Sequence, residues 1–179
     1  MDNTGSKRVG VIGASGFTGS ELLRVVAGHP HLELAFATGA SKAGTQVAAL
    51  YPNLAAEYPD LGYSDLDDVD VEAVDLVFLG LPHGASQELV PGLKGRVPHV
   101  VDLAADFRLD DPSLYPAWYG DEHRAPYLLD EFVYGMPELF RDELGGAELI
   151  AAPGCYVTTS VLTLAPLVQA GLIEPTGMI

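Results

Sequence analysis

Cysteine, basic side chains and long apolar runs are all scarce in this chain of 179 residues. A single cysteine, Cys155, excludes an internal disulfide, and with five scattered histidines it cannot build a zinc cluster. The chain has 9 basic and 25 acidic residues, and its net charge of −16 disfavours nucleic acid and anionic lipid as partners. No apolar run reaches the roughly 20 residues that a membrane span needs. We therefore expect a soluble, cytoplasmic protein without a metal, a membrane partner or a nucleic-acid partner.

Short apolar runs alternate with helical patterns along the chain, which is typical of a parallel sheet wrapped by helices. The predicted strands are 8–12, 32–37, 75–81, 97–103 and 148–152, and the predicted helices are 20–27, 85–93 and 158–167. Pro166 should end or kink the last helix. Between Asp110 and Glu138 the pattern dissolves, so a long ordered loop or small excursion is expected there. The fold class predicted is α/β, a Rossmann-type parallel sheet with helices on both faces.

Glycines at 13, 16 and 19 stand between the first strand and the first helix, which is the arrangement of a dinucleotide-binding turn. Side chains at these positions would obstruct the tight turn, the approach of a pyrophosphate and the packing of helix on strand. The spacing is GxxGxxG rather than GxGxxG, and a purely structural turn is the alternative. The cofactor contacts predicted in this turn are Gly13, Ser15, Gly16, Phe17, Thr18 and Gly19.

The end of the second strand bears on the choice between NAD and NADP. NAD sites usually place an acid there, but Glu33 begins the strand and would lie roughly 15 Å from the cofactor end. Thr38, Ser41 and Lys42 stand at the correct end and offer hydroxyls, amides and one cation, which suits a 2′-phosphate. Taken alone, Lys42 could equally be an ordinary surface lysine. The sequence therefore favours NADP.

A second candidate cofactor segment, Leu81, Pro82, His83 and Gly84, follows the third predicted strand and would face the nicotinamide side. His83 could be catalytic, although a histidine that only orders the turn is the simpler interpretation. Short-chain reductases share the glycine spacing but use a Tyr-x-x-x-Lys pair. None of the three lysines has a tyrosine four residues before it, so the chain is not an active member of that class.

Cys155 lies between a predicted strand and a predicted helix, directly after a Pro153-Gly154 turn. The N-terminus of a helix favours the thiolate, and its free amides can stabilise an oxyanion on an attacked carbonyl. A lone cysteine is more commonly a buried, inert side chain. Its place at the ligand edge of a nucleotide-binding sheet predicts a nucleophile instead.

Five segments occur in order along nearly the whole chain. They are Gly13-Ala-Ser-Gly-Phe-Thr-Gly19, Leu81-Pro-His-Gly84, Asp102-Leu-Ala-Ala-Asp-Phe-Arg-Leu109, Tyr134-Gly-Met-Pro-Glu138 and Pro153-Gly-Cys-Tyr156. Together they resemble the N-acetyl-gamma-glutamyl-phosphate reductases, an arginine-biosynthesis family related to aspartate-semialdehyde dehydrogenases. Each motif alone is modest, but five in register are specific.

The resemblance implies a two-step reaction on an acyl phosphate. The Cys155 thiolate would displace phosphate to form a thioester, which NADPH would reduce to N-acetylglutamate 5-semialdehyde. Arg108 would hold the substrate phosphate or carboxylate, although a structural salt bridge to Asp106 or Asp110 is the alternative. Tyr134 and Glu138 would shape the substrate pocket, or merely order the long loop.

The resemblance also implies a truncated second domain of α+β type. We expect an NADP-binding domain over 1–154 and the start of a catalytic domain over 155–179. The apolar residues that follow Glu174 separately predict the first residues of a new strand. The family's histidine acid/base matches none of the five histidines, so this chain alone should be nearly inactive. The full-length protein should be a homo-oligomer. Two alternatives stay open: a sister reductase of N-acetyl-aminoadipate phosphate or aspartyl phosphate, and a non-enzymatic NADP-binding module.

Overall fold

The computed structural model describes residues 5–177, which contain one six-stranded sheet in the order β2-β1-β3-β4-β6-β5. Every neighbouring pair of strands is parallel. The strands are β1 (Lys7–Ile12), β2 (Leu32–Ala37), β3 (Leu76–Leu79), β4 (His99–Asp102), β5 (Phe132–Tyr134) and β6 (Leu149–Ala151). The helices are α1 (Phe17–Ala27), α2 (Val47–Leu50), α3 (Ala85–Leu93), α4 (Tyr115–Tyr119), α5 (Pro137–Leu144) and α6 (Cys155–Gln169). The predicted α/β fold with a parallel sheet is confirmed.

The sheet separates two apolar layers, because successive side chains of a strand point to opposite faces. On one face, Val9 and Val11 of β1 pack with Leu23 and Val26 of α1. The other face buries Val77 and Leu79 of β3, Val100 of β4, and Val90 and Leu93 of α3. Helices therefore cover both faces, and the carboxyl ends of all six strands meet at a single edge.

The strand β5 was not predicted, since its three residues lie inside the stretch expected to be a loop. It lies at the edge of the sheet and pairs with β6, with Tyr134 opposite Ala151. The Phe132 ring stacks on Phe107 with ring centroids 4.0 Å apart. This distant contact holds a segment whose local pattern is too short to indicate a strand.

The structure differs from the sequence-based prediction at the end of the last helix and at the strand expected near Glu174. Helix α6 continues three residues past Pro166 and ends at Gln169. Residues 174–177 form no strand, and Met178 and Ile179 lie outside the described residues. The boundary placed between residues 154 and 155 stays a prediction. Across residues 5–177, no helix has the length and apolar character to cross a membrane.

Candidate functional site

The glycine turn after β1 is compact because two of its glycines leave no room for a side chain. Gly13 has φ +81°, and a Cβ built on it would lie 2.5 Å from the Gly80 carbonyl oxygen. A Cβ on Gly19 would lie 2.4 Å from the Gly13 oxygen, so this glycine lets α1 sit directly on the turn. A Cβ on Gly16 would meet nothing nearer than 3.6 Å, so the folded chain alone does not require that glycine.

The end of β2 is fastened to the same turn. The Gly13 amide donates to Thr38 Oγ1 at 3.3 Å, and the Ser15 hydroxyl donates to the Gly39 carbonyl at 3.1 Å. From the far side, the Tyr51 hydroxyl donates to the Ser15 carbonyl at 2.9 Å. The turn and the end of β2 therefore form one rigid wall.

A cleft of about 740 Å³ opens over this wall and runs toward the start of α3. It is lined by nine of the predicted cofactor residues, namely Gly13, Ser15, Gly16, Phe17, Thr18, Thr38, Ser41, Leu81 and Pro82. The other lining residues are Ile12, Gly39, Ala40, Asp65, Leu66, Gly80, Ala85, Glu88 and Leu89. Gly19, Lys42, His83 and Gly84 do not line it: Gly19 lies under the turn, and Lys42 is exposed to solvent.

His83 and Gly84 instead surround a buried carboxylate, that of Asp106. The Gly84 and Ser86 amides donate to its two oxygens at 2.7 and 3.0 Å, which caps the start of α3. His83 Nδ1 lies 2.5 Å from Asp106 Oδ1, and its ring packs on Tyr119 with centroids 4.9 Å apart. His83 therefore orders this turn beside the cleft.

Cys155 is exposed and is the first residue of α6, immediately after the N-cap Gly154. The first backbone hydrogen bond of this helix is donated by the Thr158 amide to the Gly154 carbonyl oxygen at 2.9 Å. The amides of residues 155–157 consequently have no partner within the helix. A thiol and several free N–H donors thus share one exposed helix end.

Arg108 braces the turn that carries this cysteine. Its Nε donates to the Ala152 carbonyl and its Nη2 to the Leu103 carbonyl, both at 2.8 Å. A Cβ built on Gly154 would lie 3.1 Å from the remaining nitrogen, Nη1. Among residues 5–177, Arg108 forms no salt bridge to either of the aspartates proposed as its alternative partners.

Of the two residues predicted to shape a substrate pocket, one lies close to this turn. Tyr134 ends β5 next to β6, and its ring meets Phe140 edge-on at 6.0 Å. Partial burial raises the pKa of Tyr134, while the nearby Arg108 charge opposes that rise. Glu138 is exposed on α5 and lines a separate depression of about 560 Å³ on that helix.

Parallel pairing places the cysteine turn and the cleft on the same edge of the sheet. The cleft lies over the ends of β1 and β3, and Cys155 follows β6, two strands beyond β3. At about 4.8 Å per strand, the ends of β3 and β6 lie roughly 10 Å apart. Cys155 does not line the cleft itself.

Residues 8–147 match the family model described as semialdehyde dehydrogenase, NAD binding domain. The chain belongs to this family. It is 52% identical over 93% of its length to an N-acetyl-gamma-glutamyl-phosphate reductase of Methanopyrus kandleri, and 46% identical over 96% to one of Ectopseudomonas mendocina. These matches cover 49% and 50% of the two relatives, so the chain spans about half their length.

A solved structure has the same fold as this semialdehyde dehydrogenase domain. It is an aspartate semialdehyde dehydrogenase with NADP from Candida albicans, with a TM-score of 0.65 and 19% identity. The alignment covers 92% of this chain and 47% of that one. The family model is that of an NAD-binding domain, and a strand, a glycine turn and a helix in this order are the arrangement in which such domains hold a dinucleotide.

Sequence reasoning missed residues around the cleft that are placed there through distant contacts, Asp106 and Tyr51 among them. Asp106 appeared only as a possible partner of Arg108, although its position after β4 marked it as an acid at the ligand edge. Tyr51 gave no signal, because nothing local connects it to a turn 36 residues earlier in the chain.

A second carboxylate of the domain, Asp102 at the end of β4, is completely buried. Its Oδ1 accepts from the Ser86 hydroxyl at 2.7 Å and from the Ala104 amide at 3.0 Å. Its Oδ2 has no hydrogen-bond partner within residues 5–177. Burial raises the pKa of Asp102 to about 6, against the opposing effect of the Ser86 hydrogen bond.

The raised pKa makes stability depend on pH with a definite sign. The unfolded chain has the ordinary, lower pKa, so Asp102 contributes stability at low pH that is lost as pH rises through about 6. Between pH 5 and 8 the wild type should lose about 1.4 kcal/mol relative to Asp102→Asn. Urea denaturation of both proteins at the two pH values measures this difference. Equal pH dependence in the two proteins would contradict it.

Proposed function

We propose that this chain is the cofactor-binding and nucleophile-bearing part of an NADP-dependent reductase of N-acetyl-gamma-glutamyl phosphate. The observation that carries the proposal is the exposed Cys155 at the start of α6, on the sheet edge that holds the dinucleotide cleft. The names of relatives 45–52% identical to the chain support this substrate over a sister acyl phosphate.

The cleft residues fit a dinucleotide. Because Gly13 and Gly19 have no side chains, the turn is tight and α1 packs directly on it. Gly16 leaves space above the turn, so a pyrophosphate could approach the backbone there. The amides at the start of α1 offer donors and the positive end of a helix dipole to the phosphates. Thr38 and Ser41 would serve the adenosine end, and Leu81 and Pro82 the nicotinamide side.

The chain's own chemistry begins with the sulfur. The Cys155 thiolate attacks the acyl carbon, the bond from that carbon to the phosphate oxygen breaks, and phosphate leaves with the electron pair. The unpaired amides at the start of α6 stabilise the oxyanion that forms between these two events. Arg108 keeps the turn in place and directs its remaining nitrogen toward the same region. When bound, NADPH supplies the hydride that reduces the thioester to the aldehyde.

Thiol labelling tests the proposed nucleophile. Iodoacetamide should alkylate Cys155 at pH 7 at least about tenfold faster than it alkylates free cysteine, and N-acetyl-gamma-glutamyl phosphate should suppress the reaction. Inorganic phosphate and aspartyl phosphate at the same concentration are the controls for anion binding and for the sister substrate. A thiol no faster than free cysteine, and unprotected by any acyl phosphate, would favour a module that only binds the dinucleotide.

A further inference from the structure

A carboxylate stands beside the end of β2 although β2 itself does not supply it. Ser64 forms a parallel bridge with Thr38, and the Gly39 amide donates to the Ser64 carbonyl at 3.1 Å. The segment that contains Ser64 therefore runs alongside the last residues of β2, on the side away from β1. The next residue, Asp65, lines the cleft together with Gly39, Ala40 and Ser41.

This is the place where NAD-binding sheets need an acid. In such sites a carboxylate at the carboxyl end of the second strand accepts hydrogen bonds from the adenosine ribose. Glu33 cannot act there, because it lies in the second position of β2, at the opposite end from the cleft. Asp65 brings a carboxylate to this end from a neighbouring segment, 32 positions later in the sequence.

Few charged residues line the cleft, so Asp65 has a large share in its electrostatic potential. Of the residues described, only Asp65 and Glu88 line the cleft with a charge, and no lysine or arginine does. Glu88 forms a close ion pair with Arg124. Asp65 is exposed and has no side-chain hydrogen bond or ion pair within residues 5–177. Among the described residues that line the cleft, Asp65 is thus the charged one without a partner of opposite charge.

We propose that Asp65 determines the preference between NADP and NAD. Its charge would reduce the selectivity for NADP that Thr38 and Ser41 would otherwise give. The inference rests on the proposed function, because it needs a dinucleotide in this cleft. A 2′-hydroxyl can donate a hydrogen bond to the carboxylate, whereas a 2′-phosphate carries negative charge against it. The chain should consequently bind NADH as well as NADPH, with a preference smaller than an NADP site with a cationic lining would show.

The test compares Asp65→Asn with Asp68→Asn. Both variants remove one negative charge from the same segment, but Asp68 does not line the cleft. Titrations of each protein with NADPH and NADH, followed by nucleotide fluorescence, give the ratio of the two dissociation constants. Competition with adenosine 2′,5′-bisphosphate and with AMP repeats the comparison at the adenosine end alone. Thermal unfolding verifies that both variants are folded.

In Asp65→Asn, NADPH should bind about five- to tenfold more tightly while NADH changes less than about twofold. The bisphosphate should gain over AMP by the same factor, and Asp68→Asn should keep the wild-type ratios. If NADPH binds but its preference over NADH is unchanged in Asp65→Asn, or rises equally in Asp68→Asn, the inference is overturned while the proposed function stands. If the wild type binds neither dinucleotide, the proposed function is overturned and the inference with it.

Discussion

Replacing Cys155 with serine is expected to abolish the covalent acyl intermediate and to lower turnover of the acyl phosphate by at least about a thousandfold. A serine hydroxyl is a much weaker nucleophile than a cysteine sulfur unless an adjacent base activates it. The chain has no second cysteine to take over the reaction. The loss should therefore appear in kcat rather than in KM.

Intact-mass spectrometry of the complete protein measures the intermediate directly. The wild type, mixed with substrate in the absence of NADPH, should gain the mass of one acyl group and release one phosphate. Cys155→Ser should do neither. Ser160→Ala is the control, since Ser160 is an exposed residue of the same helix. Retention of the acyl adduct, or of turnover within about tenfold of the wild type, would remove the sulfur from the mechanism.

The position of Tyr134 is compatible with two different roles. It lies at the end of β5, where Arg108 is close enough to influence its pKa, but the half-buried ring also packs against Phe140. A role in substrate binding and a role in ordering α5 both fit this placement, and it stays a prediction. Glu138, exposed on α5 and away from the cleft, has weaker support from the geometry.

The sheet could be predicted from the sequence because its signals are local. Buried parallel strands appear as short apolar runs, and the predicted bounds of β2 and α3 agree with the structure to the residue. The turn between β1 and α1 is equally local, since Gly19 is required by backbone atoms of the turn itself and Gly13 by Gly80, the residue after β3. Short-range pattern and long-range packing agree in these elements.

The site was predicted less completely because half of it depends on distant contacts. Asp65 reaches the end of β2 through a bridge between residues 26 positions apart, and Asp106 caps a helix that begins 21 residues earlier. His83 shows the consequence. Its motif placed it in the cofactor site, but the structure directs its Nδ1 to Asp106, outside the cleft lining.

Arg108 shows how the structure changes an assignment without removing the residue from the site. Its position after β4 suggested a group that binds the substrate's anion. Two of its three nitrogens are instead bonded to backbone carbonyls, one of them three residues before Cys155. A planar guanidinium makes these bonds from two separate nitrogens held in fixed geometry, which the single nitrogen of a lysine does not offer. Arg108 therefore links the end of β4 to the cysteine turn, and only Nη1 remains available for a ligand.

The second large effect is expected at Gly19, where alanine should reduce dinucleotide affinity by at least about a hundredfold and destabilise the fold by about 3 kcal/mol. The added Cβ would lie 2.4 Å from both the Gly13 oxygen and the Ala14 Cα, which are backbone atoms that cannot rotate away. Helix α1 would have to move off the turn, and the amides at its start would move with it.

Two matched glycines separate this effect from a general cost of adding a methyl group. Gly92→Ala, where a Cβ meets nothing within 4 Å, should leave both binding and stability intact or raise stability slightly. Gly16→Ala should keep the stability, since its nearest contact is 3.6 Å, yet weaken binding if a pyrophosphate approaches the backbone there. NADPH titration and urea denaturation of the three variants give the two quantities separately. If Gly19→Ala bound NADPH as Gly92→Ala does, close seating of α1 on the turn would not be what forms the phosphate site.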